Sequence, residues 1–418
     1  GAVRFRGFKL GIMTCEDMWL PQVTKNLMED GADILLVLNG SPYEMDKTGI
    51  RVEYALKRVL ESGLALVYVN QVGGQDELVF DGASFVLDSN GKMLTQLPAF
   101  ESAVVSLGFV LDNDTLNPHQ GPMDKPMMEN EAIYKALVLV LRDYVNKNHF
   151  PGVMIGMSGG VDSAITAAVA VDALGPDRVH CVMMPSPYTS TESLEDASLA
   201  CQELGVRLDN IAIDPAMNAF EAMLKDMFSD QGPDTTEENI QARSRGMVLM
   251  AMSNKFGYMV VSTGNKSEMS VGYSTLYGDM CGGFNVLKDV YKTRVFELCR
   301  WRNANHYTEF LGPKGEVIPE RIITKPPSAE LKPDQTDQDT LPPYDVLDGI
   351  LHGLIEEELS ASEISARGYD IEIVRNVWRM LDRAEYKRRQ APPGVKITSR
   401  AFGRDRRYPL TNGFTALS

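Results

Sequence analysis

From Gly152 onward the chain alternates short apolar segments with amphipathic helical ones, and this alternation restricts the possible folds most strongly. The apolar segment Val153–Met157 precedes a glycine-rich turn and a helical pattern over Asp162–Leu174. The series continues with Arg178–Met184, Glu192–Leu204, Leu208–Ile213, Thr236–Lys255 and Tyr258–Ser262. Strands that alternate with helices form a parallel sheet. We therefore predict an α/β domain with a doubly wound parallel sheet, whose ligands bind at the carboxyl ends of its strands.

The sequence before this series predicts a separate α/β unit. Residues 1–107 begin with alternating strand and helix patterns and end with two short strands around the turn Ser89–Gly91. Residues 108–128 are rich in Asp, Asn, Pro and Gly and are predicted to be a linker. Residues 129–418 form the second predicted domain, which opens with a strong helix over Glu129–Asn148. Within it, the proline-rich stretch Lys325–Tyr344 is expected to be an ordered loop.

Composition excludes several classes of function. The 418 residues include 41 Lys and Arg and 57 Asp and Glu, so the formal net charge is −16. This balance argues against a general binder of nucleic acid or of anionic membranes, whose surface should be basic. No apolar run approaches the ~20 residues of a membrane span. The 5 cysteines contain no CxxC pair, so neither a disulfide framework nor a zinc site is indicated, and a reducing cytoplasm is the simplest setting.

The most specific motif is the hexapeptide Ser158–Ser163, which lies between a predicted strand and a predicted helix. Its glycines allow a tight turn whose N–H groups form a concave anion site, and the following helix adds its positive end. No Gly-Lys-Ser/Thr closes the loop, so it is not a Walker A motif. The carboxylate of Asp162 would repel bare phosphates. Its presence in the loop therefore indicates a Mg²⁺ ion between Asp162 and the phosphates. The alternative is a Gly-Gly turn in which a serine caps the helix.

This hexapeptide resembles the pyrophosphate loop of the N-type ATP pyrophosphatases, the adenine nucleotide alpha hydrolase-like enzymes that cleave ATP between its α- and β-phosphates. GMP synthetases, asparagine synthetases and tRNA-modifying enzymes share the loop. The segments Thr236–Arg243, Ser262–Glu268, Tyr277–Met280, Lys288–Lys292 and Lys325–Leu331 follow in an order that resembles the NAD synthetases. That resemblance covers residues 129–418 and implies adenylation of the nicotinate carboxylate of deamido-NAD, after which ammonia displaces AMP.

The resemblance also implies roles for individual residues. The implied ATP site comprises Gly156, Met157, Ser158, Gly159, Gly160, Val161, Asp162, Ser163, Thr263, Lys292 and Ser328. The implied deamido-NAD site comprises Asn239, Glu268 and Lys387, and the implied Mg²⁺ ligands are Asp162 and Glu268. Each residue also has an ordinary structural interpretation: Thr263 could end a strand, whereas Glu268, Lys292 and Asn239 could be polar residues of solvated helices.

The N-terminal unit carries its own candidate nucleophile. Cys15 follows an apolar strand, where a thiol can be activated as thiolate, although a lone cysteine in this position is more often inert. The stretches Gly11–Trp19 and Asn39–Tyr43 resemble the nitrilase-type amidohydrolases. In glutamine-dependent NAD synthetases such a domain precedes the synthetase domain and releases ammonia from glutamine. The resemblance then implies Cys15 as nucleophile, with Ser41 and Lys47 contacting glutamine.

This unit departs from the nitrilase pattern of Glu, Lys and Cys in chain order. The residues before Cys15 contain no Glu, and Lys9 is too close to Cys15 to match the family lysine. We therefore expect a partial nitrilase-like α/β sandwich with upstream residues missing, and a chain that uses ammonia but does not hydrolyse glutamine.

The resemblance also implies a homo-oligomer built on a synthetase dimer. Two alternatives remain at this point, namely another amidotransferase with the same loop, and a non-catalytic nucleotide-binding scaffold.

Overall fold

A computed structural model of the chain describes residues 1–45, 47–112, 115–333 and 335–413. The chain divides into two compact units, Gly1–Val140 and Leu141–Ser418, which we call unit 1 and unit 2. No helix among the described residues is long and apolar enough to cross a membrane.

Unit 1 is an α/β unit followed by antiparallel strands, as its sequence pattern predicts. In chain order its first elements are β1 (Ala2–Phe5), β2 (Phe8–Thr14), α1 (Pro21–Glu29), β3 (Ile34–Asn39), α2 (Lys47–Ser62), β4 (Leu66–Asn70), β5 (Val72–Gln75), β6 (Leu78–Asp81), β7 (Phe85–Leu87) and β8 (Met93–Gln96). The main sheet has six strands in the order β1-β2-β3-β4-β7-β8, in which β2, β3 and β4 are parallel. Strands β5 and β6 form a separate antiparallel pair.

One face of the parallel strands forms the core of unit 1. Alternate residues of a strand point to the same face, so Leu35 and Val37 of β3 and Leu66 and Tyr68 of β4 are buried together. Side chains of α1 and α2, including Leu27 and Val59, pack in the same cluster. This packing fixes the carboxyl ends of β2, β3 and β4 side by side.

The stretch predicted to be a linker contains structure. Strands β9 (Phe109–Asp112) and β10 (Thr115–Pro118) pair antiparallel, and Leu116 of β10 packs with Ile34 and Ala65. Turn-forming residues are common both to linkers and to short ribbons, and composition does not distinguish the two. The helix α3 (Glu129–Lys147) follows.

Unit 2 contains the predicted α/β series. Its elements after α3 are β11 (Val153–Gly156), α4 (Val161–Leu174), β12 (Val179–Met183), α5 (Thr191–Leu204), β13 (Arg207–Asn210), α6 (Asp214–Leu224), α7 (Thr235–Phe256), β14 (Met259–Ser262), α8 (Lys266–Val271), β15 (Phe284–Asn285), α9 (Lys292–Ala304), α10 (Glu320–Thr324), α11 (Tyr344–Ile355), α12 (Ala361–Ser365), α13 (Ile371–Arg383) and α14 (Glu385–Arg388). Short 3-10 helices occur at Cys15–Trp19 in unit 1 and at Pro176–Arg178 and Asp337–Asp339 in unit 2.

The sheet of unit 2 confirms the predicted parallel topology. Its five strands lie in the order β13-β12-β11-β14-β15, and every neighbouring pair is parallel. The chain moves outward from β11 to β12 and β13, then returns to the other side of β11 for β14. This reversal creates a crevice at the carboxyl ends of β11 and β14, where ligands bind in open sheets of this kind.

The helices after the sheet have a core of their own. Leu347, Ile350 and Leu351 of α11 pack with Val374 and Val377 of α13 in one buried cluster. Met269 of α8 belongs to the same cluster. The cluster therefore anchors α8, the short helix that carries Glu268.

Candidate active site

A pocket of about 290 Å³ occupies the crevice of unit 2. It is lined by every residue that the sequence assigned to the ATP site, namely Gly156, Met157, Ser158, Gly159, Gly160, Val161, Asp162, Ser163, Thr263, Lys292 and Ser328. Most of these residues follow β11 or β14, so the topology brings them together. Glu268, assigned to both the deamido-NAD and the metal site, also lines the pocket.

The glycine-rich loop is held by its own serines. The Ser163 hydroxyl donates to the carbonyl of Gly160 at 2.9 Å and lies 3.1 Å from the Ser158 hydroxyl. Gly160 stands at the N-cap position of α4, and no side chain among the described residues caps this helix. The serines therefore brace the loop, and the first N–H groups of α4 keep their capacity to bind an anion.

Gly159 gives the loop its shape. Its φ is +81°, a left-handed conformation that glycine adopts without steric cost. A Cβ at this position would lie 2.3 Å from the carbonyl oxygen of Ser193, at the start of α5. The loop thus passes so close to α5 that only glycine fits there.

Acidic and basic side chains converge beside the loop. Lys292, at the first residue of α9, forms an ion pair with Asp162 and lies 3.2 Å from a Glu268 oxygen. Asn265 donates from its amide nitrogen to Asp162 at 2.9 Å and accepts the Glu268 backbone N–H at 3.0 Å. One Glu268 oxygen therefore helps to cap α8, while the other faces Lys292 and the pocket.

Burial dominates the electrostatics of this cluster. It raises the pKa of Glu268 to about 8; Lys292 opposes this shift and Asp162 adds to it. Burial alone would lower the pKa of Lys292, but the carboxylates of Asp162 and Glu268 outweigh it and raise that pKa. A second cation beside Glu268, in addition to Lys292, would lower its pKa and keep this buried carboxyl in its charged form.

The same two carboxylates suit a magnesium ion. Mg²⁺ is usually held by one or two carboxylates together with substrate phosphates and water, rather than by a complete protein cage. Among the described residues, no group of three or more His, Cys, Asp or Glu could hold a metal by itself. Asp162 and Glu268, which approach one ammonium from two elements, fit this partial kind of site.

Asn239 and Lys387, the remaining residues assigned to deamido-NAD, do not line the pocket in the described part of the chain. Both contact the segment that follows α8. Asn239 accepts the Thr275 hydroxyl at 3.0 Å, and Lys387 donates to the carbonyls of Gly272 and Ser274 at 2.7 and 2.6 Å. The structure therefore brings them to one loop at the edge of the pocket.

Sequence reasoning assigned no role to several residues that line the pocket. Arg245, Asp279, Lys325 and Glu330 belong to this group. Asp279 and the Lys325–Glu330 stretch lie inside motifs that carried the family resemblance, whereas Arg245 comes from the middle of α7. A basic residue in a helix gives no sequence signal of the direction in which it points.

The Lys325–Leu331 loop is fastened over the pocket by Glu330. A Glu330 oxygen accepts the hydroxyls of Ser190 and Ser193 at 2.8 and 2.7 Å. Lys325 donates to Ser193 at 2.7 Å and lies 3.2 Å from Glu330. Apart from the short helix Asp337–Asp339, the described part of the stretch before α11 is the ordered loop that was predicted.

A smaller cavity of about 70 Å³ adjoins this pocket. It shares Thr263, Glu268 and Asp279 with the pocket and extends to Asn285 and Pro392. Withdrawal from bulk water raises the pKa of Asp279 to about 6, and the backbone N–H of Thr275 opposes this shift by donating to the carboxylate at 2.8 Å.

Unit 1 places the other candidate residues at the carboxyl ends of β2 and β3. Cys15 is half-buried, directly follows β2 and has a φ of +52°, so the predicted strand-to-helix position is confirmed. Ser41 is buried, and its backbone N–H donates to the Asn70 side chain at 2.9 Å. Lys47 begins α2 and lies 3.7 Å from Glu44.

A buried ion pair supports this edge of unit 1 and had no sequence signal. Arg51 donates to both oxygens of Asp81 at 2.8 Å and to the Ser41 hydroxyl at 3.1 Å. Burial raises the pKa of Asp81, and Arg51 opposes that shift. Arg51, itself fixed by Asp81, therefore holds the Ser41 hydroxyl in place.

Comparison with known proteins finds relatives of both units. A family model described as NAD synthase matches residues 133–391, and one described as carbon-nitrogen hydrolase matches residues 2–110. The glutamine-dependent NAD(+) synthetase of Rhodobacter capsulatus is 52% identical over 405 residues, which cover 96% of this chain and 73% of that protein. The enzyme of the same name from Acinetobacter baylyi is 49% identical over 411 residues, covering 98% and 74%.

A solved structure is similar along the whole chain. It is that of glutamine-dependent NAD+ synthetase from Acinetobacter baumannii in complex with adenosine diphosphate. It is 47% identical, with a TM-score of 0.73, and the match covers 100% of this chain and 75% of that one.

Proposed function

The chain belongs to the glutamine-dependent NAD(+) synthetases, and we propose that its unit 2 pocket catalyses their reaction, the ATP-dependent amidation of deamido-NAD to NAD. The convergence of the glycine-rich loop with Asp162, Glu268 and Lys292 supports this assignment most directly. A carboxylate is a poor electrophile, and transfer of AMP to its oxygen supplies a good leaving group.

In the first step, the nicotinate carboxylate attacks the α-phosphorus of ATP and pyrophosphate leaves. The N–H groups of the Ser158–Ser163 loop and of the α4 N-terminus bind the departing phosphates. Asp162 and Glu268 would hold Mg²⁺, which supplies charge neutralisation at the phosphates. Lys292 adds its positive charge on the same side of the pocket.

In the second step, ammonia attacks the acyl carbon of the adenylated nicotinate, AMP leaves, and the nitrogen loses a proton. Exclusion of water at this stage would protect the adenylate from hydrolysis. Asn239 and Lys387 position the loop after α8, against which we place the nicotinate end of deamido-NAD.

We assign the supply of ammonia from glutamine to the carbon-nitrogen hydrolase domain that unit 1 matches; the Glu and Lys of its catalytic pattern are not among these 418 residues, so this chain is expected to depend on added ammonia. The Cys15 thiolate would attack the glutamine amide carbon, and the tetrahedral species would collapse to a thioester as the protonated nitrogen leaves as ammonia; water would then hydrolyse the thioester to glutamate and free Cys15. Ser41 and Lys47 would contact the glutamine. The adjacent carboxyl ends of β2 and β3 support this placement, because they bring Cys15 and Ser41 to one edge of the sheet.

The test uses the 418-residue chain with ATP, Mg²⁺, deamido-NAD and ammonium, and measures NAD and AMP. We expect AMP rather than ADP, and Asp162→Asn should lower its formation about 100-fold or more. Asp345→Asn is the matched control, since Asp345 is an exposed acid in the first turn of α11. Formation of ADP, or full activity in Asp162→Asn, would refute the assignment. Omission of Mg²⁺ with a chelator present should stop the reaction in both proteins.

We further propose that the protein acts as a homo-oligomer in the cytoplasm. The resemblance to synthetases built on a dimer supports the first point, and the free state of all five cysteines supports a reducing location. Light scattering of the purified chain measures its mass in solution, and a monomeric mass at micromolar concentration contradicts the dimer.

A further inference from the structure

The cationic side chains in the unit 2 pocket differ in whether they form ion pairs with carboxylates. Its lining contains the cationic side chains of Arg245, Lys292 and Lys325. Lys292 pairs with Asp162 and Glu268, and Lys325 pairs with Glu330. Within the described part of the chain, no carboxylate forms an ion pair with Arg245, and Glu330 and Asp279 act on its charge only from a longer distance.

The side chain of Arg245 lies at the carboxyl ends of β11 and β12, beside the glycine-rich loop. Its Nε donates to the Met184 carbonyl at 3.0 Å, immediately after β12. Leu249, one turn further along α7, and Met184 both approach Gly156, at the end of β11. Residues four apart share a helix face, so the guanidinium lies next to the start of the loop.

The terminal nitrogens of Arg245 have no hydrogen-bond partner among the described residues, since only Nε is engaged. Burial lowers the pKa of Arg245, and Glu330 and Asp279 oppose this effect from beyond ion-pair distance. Arg245 is half-buried, its guanidinium remains charged, and a partly desolvated charge without an ion-pair partner carries a cost. A ligand that brings anionic oxygens to this position would remove that cost.

Both substrates carry phosphates, because deamido-NAD contains a diphosphate, so the position of Arg245 in the fold has to distinguish between them. Arg245 reaches the β12 side of β11, whereas Glu268 and the loop held by Asn239 and Lys387 follow β14 on the other side. The Gly159 end of the glycine-rich loop lies against α5, on the Arg245 side, whereas its Asp162 end reaches Asn265 and Lys292. The planar fork of a guanidinium matches two phosphate oxygens at once.

We propose that Arg245 is a catalytic residue that binds the phosphates of ATP with its terminal nitrogens. This assignment rests on the proposed function of the pocket and specifies how the nucleotide is held there. The hydrogen bond from Nε to the Met184 carbonyl fixes the orientation of the guanidinium. Its two terminal nitrogens then donate to the phosphates beside the loop. Lys292 and Lys325 are paired with carboxylates, so their charges are already largely balanced before a phosphate binds, unlike that of Arg245.

The experiment compares ATP and adenosine as probes, with dissociation constants measured by competition against a fluorescent ATP analogue. Arg245→Met should weaken ATP binding about 10- to 100-fold, as expected for loss of charge-assisted hydrogen bonds, and leave adenosine binding unchanged. Arg245→Lys should recover part of the loss, because it keeps the charge without the fork. Lys255→Met, which removes a positive charge from the last turn of the same helix, should match the parent protein.

The possible results distinguish a failure of the proposed function from a failure of the proposed contact between Arg245 and the phosphates. If the parent protein does not bind ATP, the proposed function fails. Unchanged ATP binding in Arg245→Met, or an equal loss for adenosine and ATP, overturns the phosphate contact alone. Weaker binding of deamido-NAD with unchanged ATP binding would assign the residue to the other substrate. If Arg245→Met does not fold, as judged by its thermal unfolding midpoint, Arg245→Lys and Arg245→Gln carry the same comparison.

Discussion

Replacement of Gly159 by alanine tests whether the glycine-rich loop owes its shape to contact with α5. Two costs can be worked out from the structure. The left-handed φ of +81° costs a residue with a Cβ about 1–2 kcal/mol. The added Cβ would also lie 2.3 Å from the Ser193 carbonyl oxygen and 2.9 Å from its carbon, and relief of such overpacking costs about 1–3 kcal/mol. We expect Gly159→Ala to lower the free energy of unfolding by about 2–5 kcal/mol.

The overlap involves backbone on both sides, so either the loop or the start of α5 must move. A displacement near 1 Å in groups that position substrate costs about 100-fold in rate. The variant should therefore lose AMP formation by about this factor at saturating deamido-NAD. Urea unfolding measures the stability, and a coupled assay of AMP measures the rate.

Gly403→Ala is the matched control. Gly403 has a φ of +86° and open space around its Cβ position, so its replacement carries the conformational cost without the overlap. It should lose about 1–2 kcal/mol of stability and keep its rate. If both variants lose the same stability and both keep full activity, contact with α5 does not shape the loop and the reasoning fails.

Two further predictions follow from buried and pocket carboxylates. Asp279 has a pKa raised to about 6, so its stabilising effect is complete below its ordinary pKa of 3.8 and is lost as pH rises through about 6. The unfolding free energy, measured by urea from pH 4 to 7, should therefore fall more steeply in the parent than in Asp279→Asn; parallel profiles would contradict this. In unit 1, Arg51→Met leaves Asp81 buried without its partner and should cost about 3–5 kcal/mol of stability. Addition of Asp81→Leu should restore much of that stability in urea unfolding, and no recovery would argue against the ion pair as the cause.

Composition did not reveal the short strands within the stretch predicted to be a linker. Residues 108–128 contain the turn-forming residues of a flexible connection, yet β9 and β10 pair within them. Two short strands that pair with each other need no long periodic pattern, so the sequence offers little to detect. Leu116 becomes a core residue only because it meets Ile34 and Ala65, which are far away along the chain.

The sequence by itself determined the order of strands and helices in unit 2 and the character of the Ser158–Ser163 loop. Both depend on short stretches of chain, in which apolar periodicity and glycine conformational freedom act locally. For the same reason it placed Cys15 at a strand end. These features are recognisable before any distant residue is known.

Only the tertiary structure decided which side chains meet. Lys292 and Asp162 are 130 positions apart, and Ser190 and Glu330 are 140 apart. Arg245 could have pointed to solvent as far as its sequence context shows, and the packing of α7 turned it toward the pocket. Long-range contacts depend on how sheets and helices pack, and burial then sets the charges and pKa values that a local pattern does not contain.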